Sequence, residues 1–151
     1  MSTQVIERMT VEIDGSGPAV VMVHGLGGTS NSFTPQMSVF GGRFRVIRPD
    51  LAGSGRTRLG GPIAIQRFVD DVVRLIRVLG AEPAHLVGHS LGTIVCQHLA
   101  QQQPQLVRSL CLLGAIVEPP PKAREGLRAR AGKARADGMA DPIAHLAPIL
   151  P

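Results

Sequence analysis

The chain's clearest chemical signal is Gly88-His89-Ser90-Leu91-Gly92, a Gly-x-Ser-x-Gly run between the apolar stretch His85 to Gly88 and the helix-compatible stretch Leu91 to Gln103. A serine set there suits acyl transfer. A tight strand-to-helix turn holds its residue in strained dihedrals. Gly88 and Gly92 remove Cβ atoms that would collide across the turn, and the serine oxygen then projects from the carboxyl end of a sheet. The helix that follows aims its amide-rich N-terminus at any oxyanion formed there. The plainer alternative is a serine N-cap on an ordinary helix. The full pentapeptide in strand-turn-helix context favours the nucleophile.

Acyl transfer also needs two backbone N–H donors aimed where negative charge develops. One would come from Leu91, the residue after the nucleophile. His24-Gly25-Leu26-Gly27-Gly28-Thr29 follows a buried-type strand and offers the other, for which Leu26 is the candidate. A phosphate-cradling loop is the competing reading, but neither Gly-x-Gly-x-x-Gly nor a P-loop spacing occurs. His24, Gly25, Gly88, His89 and Gly92 are expected to support the site. His24 reads as a brace for its loop rather than a proton shuttle, and the His89 side chain should point away from the Ser90 hydroxyl. A third segment, Arg48-Pro49-Asp50-Leu51-Ala52-Gly53-Ser54-Gly55-Arg56-Thr57, is a strand exit into a Gly-rich turn that Asp50 could hold through side-chain to backbone bonds.

The elements needed to position these residues can be read from hydrophobic patterning. Val5 to Ile13 alternates as an early strand and ends in the turn signal Asp14-Gly15-Ser16-Gly17-Pro18. Ala19 to Val23 is a continuous apolar run, as in a strand buried on both faces. A short helix is expected around Phe33 to Phe40 and a strand over Phe44 to Ile47, stopped by Arg48-Pro49-Asp50. In Ile63 to Leu79, residues Phe68, Val72, Leu75, Ile76 and Leu79 recur with helical spacing, and Gly80 supplies the stop. His85 to Gly88 and Val107 to Leu113 read as strands around the helix Leu91 to Gln103. Strands alternating with helices imply βαβ units, hence a mostly parallel sheet with helices on both faces. After Gly114, Pro119-Pro120-Pro121 reads as a stiff linker into an Arg- and Ala-rich helical element.

Composition narrows the classes. The length suffices for one domain with one sizeable core. With four Phe and no Trp or Tyr, that core must be aliphatic. The net charge of +5 comes largely from Arg43 to Arg58 and Lys122 to Lys133. Without stacking aromatics or a known module this reads as solvated arginine, not a nucleic-acid footprint. Cys96 and Cys111 lie in separate apolar runs and read as small buried hydrophobes, neither disulfide nor metal ligands. No cofactor or metal is expected. No run approaches a membrane span and the start of the chain does not look like a signal peptide, so a soluble cytoplasmic protein with no membrane partner is the expectation.

The His-Gly loop, the Asp-x-x-Gly-x-Gly-x-Thr segment ending at Thr57 and the Ser90 elbow, in this order, resemble the α/β-hydrolase superfamily over roughly residues 5 to 117. Within it the chain is similar to the 3-oxoadipate enol-lactonase-like group, in its N-terminal half only. The resemblance implies a three-layer α/β-hydrolase sheet, incomplete at its C-terminal side. Residues 1–117 would form the N-terminal part of the core and residues 118–151 the start of a helical cap or a truncated tail. Arg124 to Ala140 resembles the beginning of such a cap. A serine elbow separates the chain from haloalkane dehalogenases and epoxide hydrolases, which carry Asp there. The implied activity is that of a serine esterase or lactonase acting on a small ester or lactone through an acyl-enzyme on Ser90. The implied triad runs Ser, acid, His, and the chain stops near where the cap begins, so it reads as a partial chain lacking the acid and base. Glu118 and His145 are weak substitutes, and His85 and His98 read as ordinary strand and helix residues. Without a base Ser90 is a poor nucleophile. The alternative is a non-catalytic hydrolase-fold subunit or binding module. The strand Val107 to Leu113 would then be an exposed sheet edge open to pairing, including with a second copy.

Overall fold

The computed structural model describes residues 2–115 and 120–138. The chain divides into two compact units, Met1–Ile116 and Val117–Pro151. In the first, a six-stranded sheet runs in the order β1-β2-β4-β3-β5-β6. The strands are β1 (Ser2–Ile6), β2 (Met9–Asp14), β3 (Ala19–Val23), β4 (Arg45–Pro49), β5 (Ala84–His89) and β6 (Val107–Leu113). β1 and β2 are antiparallel to their neighbours, whereas β4, β3, β5 and β6 run parallel.

β3 occupies the centre because all five of its residues are apolar and buried. Ala19, Val21 and Val23 join the larger core with Leu86, while Val20 and Met22 join a smaller core on the opposite face. Helices α2 (Ile65–Val78) and α3 (Leu91–Gln102) cover the first face. They bury Phe68, Val72, Leu75 and Ile76 from one helix and Val95, Cys96 and Leu99 from the other. At about 25 cal/mol per Å2 of apolar surface, each such side chain contributes about 1.5–3 kcal/mol. The second face carries a 3₁₀ segment (Ser30–Gln36) and the short α1 (Met37–Phe40). Here Phe33 is buried and Met37, Phe40 and Phe44 pack around it.

The hydrophobic pattern and the structure part company at several points. The expected strand Val5 to Ile13 is a hairpin, with Ile6 opposite Met9 and the Glu7-Arg8 pair as its two-residue turn. Glu7 and Arg8 have φ of +50° and +70°. The pair carries no Gly or Asn to signal the turn that such angles favour. β4 extends through Arg48 and Pro49, because Pro49 sits at its last position opposite Val11 and costs no interior ladder bond. Cys96 is buried, but Cys111 is exposed, because β6 is the sheet's edge strand and only Val107 and Leu112 pack on the core. In the second unit, α4 (Pro121–Asp137) is a helix with every described side chain exposed or nearly so.

Candidate active site

Ser90 joins β5 to α3 with φ +50° and ψ −114°. Its side chain makes no capping bond to the helix it precedes, so the N-cap alternative finds no support in the geometry. The turn is held by its main chain instead. Ser90 N–H donates to the Leu113 carbonyl of β6 at 3.0 Å. The Ser90 carbonyl accepts from Thr93 N–H at 2.9 Å and from Thr93 Oγ1 at 2.6 Å. Among the described residues nothing hydrogen-bonds the hydroxyl itself, which stays partly exposed.

Each flanking glycine is required by contact. A Cβ on Gly92 would lie 2.0 Å from the Val23 carbonyl oxygen, and one on Gly88 would lie 2.5 Å from the Gly92 oxygen. These glycines let α3 seat directly on β3 and β5, which brings the His24 loop to the elbow. A Cβ on Gly25 would fall 3.0 Å from the Ser90 Cβ and 3.1 Å from His89 Nδ1. The next residue, Leu26, is 74% exposed. Its turn closes through Gly28 N–H to the Gly25 carbonyl at 3.0 Å, which leaves the Leu26 N–H without a backbone acceptor among the described residues. Leu91 opens α3, where a helix leaves its first amides unpaired.

His24 is buried and fully engaged. Its Nε2 accepts from Leu51 N–H at 3.0 Å, which puts the ring proton on Nδ1, facing the Gly25 carbonyl at 2.8 Å. Burial lowers its pKa from 6.5, against weaker opposing effects of the Gly25 carbonyl and the Asp50 charge. A neutral ring bonded at both nitrogens splices the Gly25 loop to the loop after β4 and has no lone pair left for Ser90. Asp50 holds that second loop: Oδ1 accepts from Ser30 N–H at 2.7 Å, and Oδ2 from Arg56 N–H at 3.1 Å and Arg56 Nε at 3.4 Å. Burial alone would raise its pKa, but these donors outweigh burial and hold the carboxyl below its ordinary value. Gly55 (φ +52°) is required here, since a Cβ would lie 2.5 Å from Asp50 Oδ2.

The remaining expected residues are dispersed. His89 turns to a hollow of about 390 Å3 with Phe33, Phe40, Val87 and Cys111. His85 Nδ1 meets Ser109 Oγ at 2.7 Å, and its ring stands edge-on to Phe44. His98 is exposed on α3. Glu118 and His145 lie outside the described residues. Among the described residues no cluster of His, Cys, Asp and Glu could hold a metal ion, and no helix is long and apolar enough to cross a membrane. Sequence reading missed the long-range supports: Thr57 Oγ1 accepting from Thr10 N–H at 2.8 Å, and Arg56 bridging Asp50 to Glu12. Only the charged pattern in Arg48 to Arg56 hinted at them.

Residues 18–137 match the sequence model of the alpha/beta hydrolase fold. The chain is 31% identical over 118 residues to the (E)-2-((N-methylformamido)methylene)succinate hydrolase of Acinetobacter baylyi, a match covering 78% of this chain and 45% of that protein. It resembles the structure of a thermophilic esterase from Thermogutta terrifontis with a TM-score of 0.84 and 28% identity, over 93% of this chain and 53% of the esterase. It also resembles the N-acyl homoserine lactonase AidH, with a TM-score of 0.69 and 26% identity, over 74% of this chain and 44% of that one. The chain thus spans about half the length of the proteins it matches.

Proposed function

This chain belongs to the alpha/beta hydrolase fold family, and from that membership we propose that it is the nucleophile-bearing part of a serine hydrolase acting on a small ester or lactone. The carrying observation is the backbone of Ser90, at φ +50° and ψ −114° with an uncommitted hydroxyl. A non-glycine residue in such a conformation costs about 1–3 kcal/mol and is kept where the strain is used. The esterase and lactonase among the structural neighbours support the substrate class.

In the proposed reaction Ser90 Oγ attacks the substrate carbonyl carbon and loses its proton to a base. The amides of Leu26 and Leu91 hold the resulting oxyanion. Its collapse expels the alcohol, which takes the proton, and water then releases the acid from Ser90. The base and its orienting acid would come from outside the described residues, since all described imidazoles are engaged or placed elsewhere. Free Cys96 and Cys111 suit a reducing compartment, and a cytoplasmic setting belongs to the same proposal.

A fluorophosphonate probe tests the assignment. Labelling of the full-length protein that vanishes in Ser90→Ala supports it, and labelling that survives the substitution refutes it. One observation favours a second reading, a non-catalytic module: no described base or acid meets the Ser90 hydroxyl. There the exposed β6 edge would pair with a second copy. A compact dimer on size exclusion together with no labelling would select that reading.

A further inference from the structure

Away from Ser90, a cavity of about 660 Å3 opens between the β1–β2 hairpin tip, the loop after β4 and α2. No residue of the elbow or of the His24 loop lines it. Five arginines do: Arg8, Arg56, Arg58, Arg67 and Arg74. Two carboxylates, Glu7 and Asp71, line it with them, and Glu12 and Asp50 pair with Arg56 from behind the wall, leaving an excess of one positive charge. Its volume is within the range of about 300–1,000 Å3 that small-molecule sites occupy.

The cations are of two kinds. Arg67 is fixed in place: Nη1 donates to the Pro62 carbonyl at 3.1 Å, Nη2 to the Leu59 carbonyl at 2.5 Å, and Nε faces Asp71 at 3.9 Å. Arg74 shares Asp71, and Arg56 is committed to Glu12 and Asp50. Arg8 and Arg58 have no hydrogen bond or ion pair among the described residues. Arg8 also sits at φ +70° in the hairpin turn beside Glu7 at φ +50°. Like charges crowded around a hollow repel one another, and an anion entering it would relieve that repulsion.

We infer that this cavity binds a small, multiply charged oxyanion, engaged by the free guanidinium groups of Arg8 and Arg58 against the fixed cation of Arg67. Planar guanidinium forks match carboxylate and phosphate oxygens in pairs, so both sources share one recognition chemistry. The site is separate from the proposed acyl-transfer machinery, so either stands if the other fails.

Isothermal titration calorimetry on the full chain tests this, with pyrophosphate in one arm and citrate in the other. Saturable binding is expected in at least one arm, and the responding arm identifies the anion class. The R8Q/R58Q double variant should weaken it at least about tenfold, in line with the loss of charge-assisted bonds. R58Q alone should give a smaller loss, which keeps the test open if the hairpin variant misfolds on circular dichroism. R108Q removes an exposed arginine on β6 outside the cavity and should leave binding unchanged. No saturable binding in either arm, equal affinity in R8Q/R58Q, or an equal loss in R108Q would overturn the inference.

Discussion

Replacing Ser90 by alanine and by glycine separates the strain of the elbow from its chemistry. Both substitutions delete the hydroxyl, and since that hydroxyl has no hydrogen-bond partner among the described residues, its loss should cost little stability. They differ in Cβ. At φ +50° and ψ −114° an alanine keeps the clash that serine has, whereas glycine relieves it. Relief should return about 1–3 kcal/mol. Against this, glycine costs about 0.5–1 kcal/mol more than alanine in chain entropy on folding. On the midpoints of these ranges strain wins, and Ser90→Gly should exceed Ser90→Ala by about 1 kcal/mol, within a span of about 0–2.5 kcal/mol. In a chain of this size that is a rise in Tm of about 2–4 °C per kcal/mol. Urea unfolding followed by far-UV circular dichroism reads the difference directly, at equal m-values. Fluorophosphonate labelling should be absent from both. A glycine variant no more stable than the alanine variant would refute the reasoning, because position 90 would then be unstrained and the elbow merely a helix start.

Three further perturbations follow from the same contacts. Gly92→Ala should destabilise by more than the usual overpacking cost of about 1–3 kcal/mol, because its Cβ meets main-chain oxygen of Val23 at 2.0 Å and α3 must lift off β3; an unchanged urea midpoint would contradict this. Asp50→Asn puts an amide group among N–H donors and should cost about 1–3 kcal/mol for a buried unsatisfied pair, while also loosening the His24 loop, which proteolysis of the native state would register. Acid should destabilise in sequence. The folded-state pKa of His24 is depressed, so its contribution is complete above 6.5 and falls as pH drops through that value, because the unfolded chain takes up the proton first. Glu12 and Asp50, also depressed, add their losses below 4.5 and 3.8. Chemical denaturation from pH 8 to pH 4 should show the first decline near pH 6.5, and His24→Gln should remove that limb alone.

Much of the sheet could be read from residue order because its signals are local. Ala19 to Val23 is apolar at every position, as a strand buried on both sides must be, and the spacing of Phe68, Val72, Leu75 and Ile76 defines one helix face. The Gly88 to Gly92 pentapeptide was equally legible as a motif, although only Gly88 answers a contact made within five residues, with the Gly92 oxygen, whereas Gly92 answers one with distant Val23. What the chain order could not reveal depended on distant partners. Glu7 and Arg8 form a turn only because Ile6 and Met9 pair, although neither residue prefers those angles. Pro49 belongs to a strand because Val11 of β2 lies opposite it. Asp50 holds Ser30 and Arg56, and His24 becomes a neutral splice only when Leu51 N–H arrives to take its second nitrogen. The arginine cavity is likewise assembled from arginines separated by as many as 66 positions, Arg8 to Arg74. Local spacing specified which residues could do chemistry. Packing of the sheet against its helices decided which of them are free to do it.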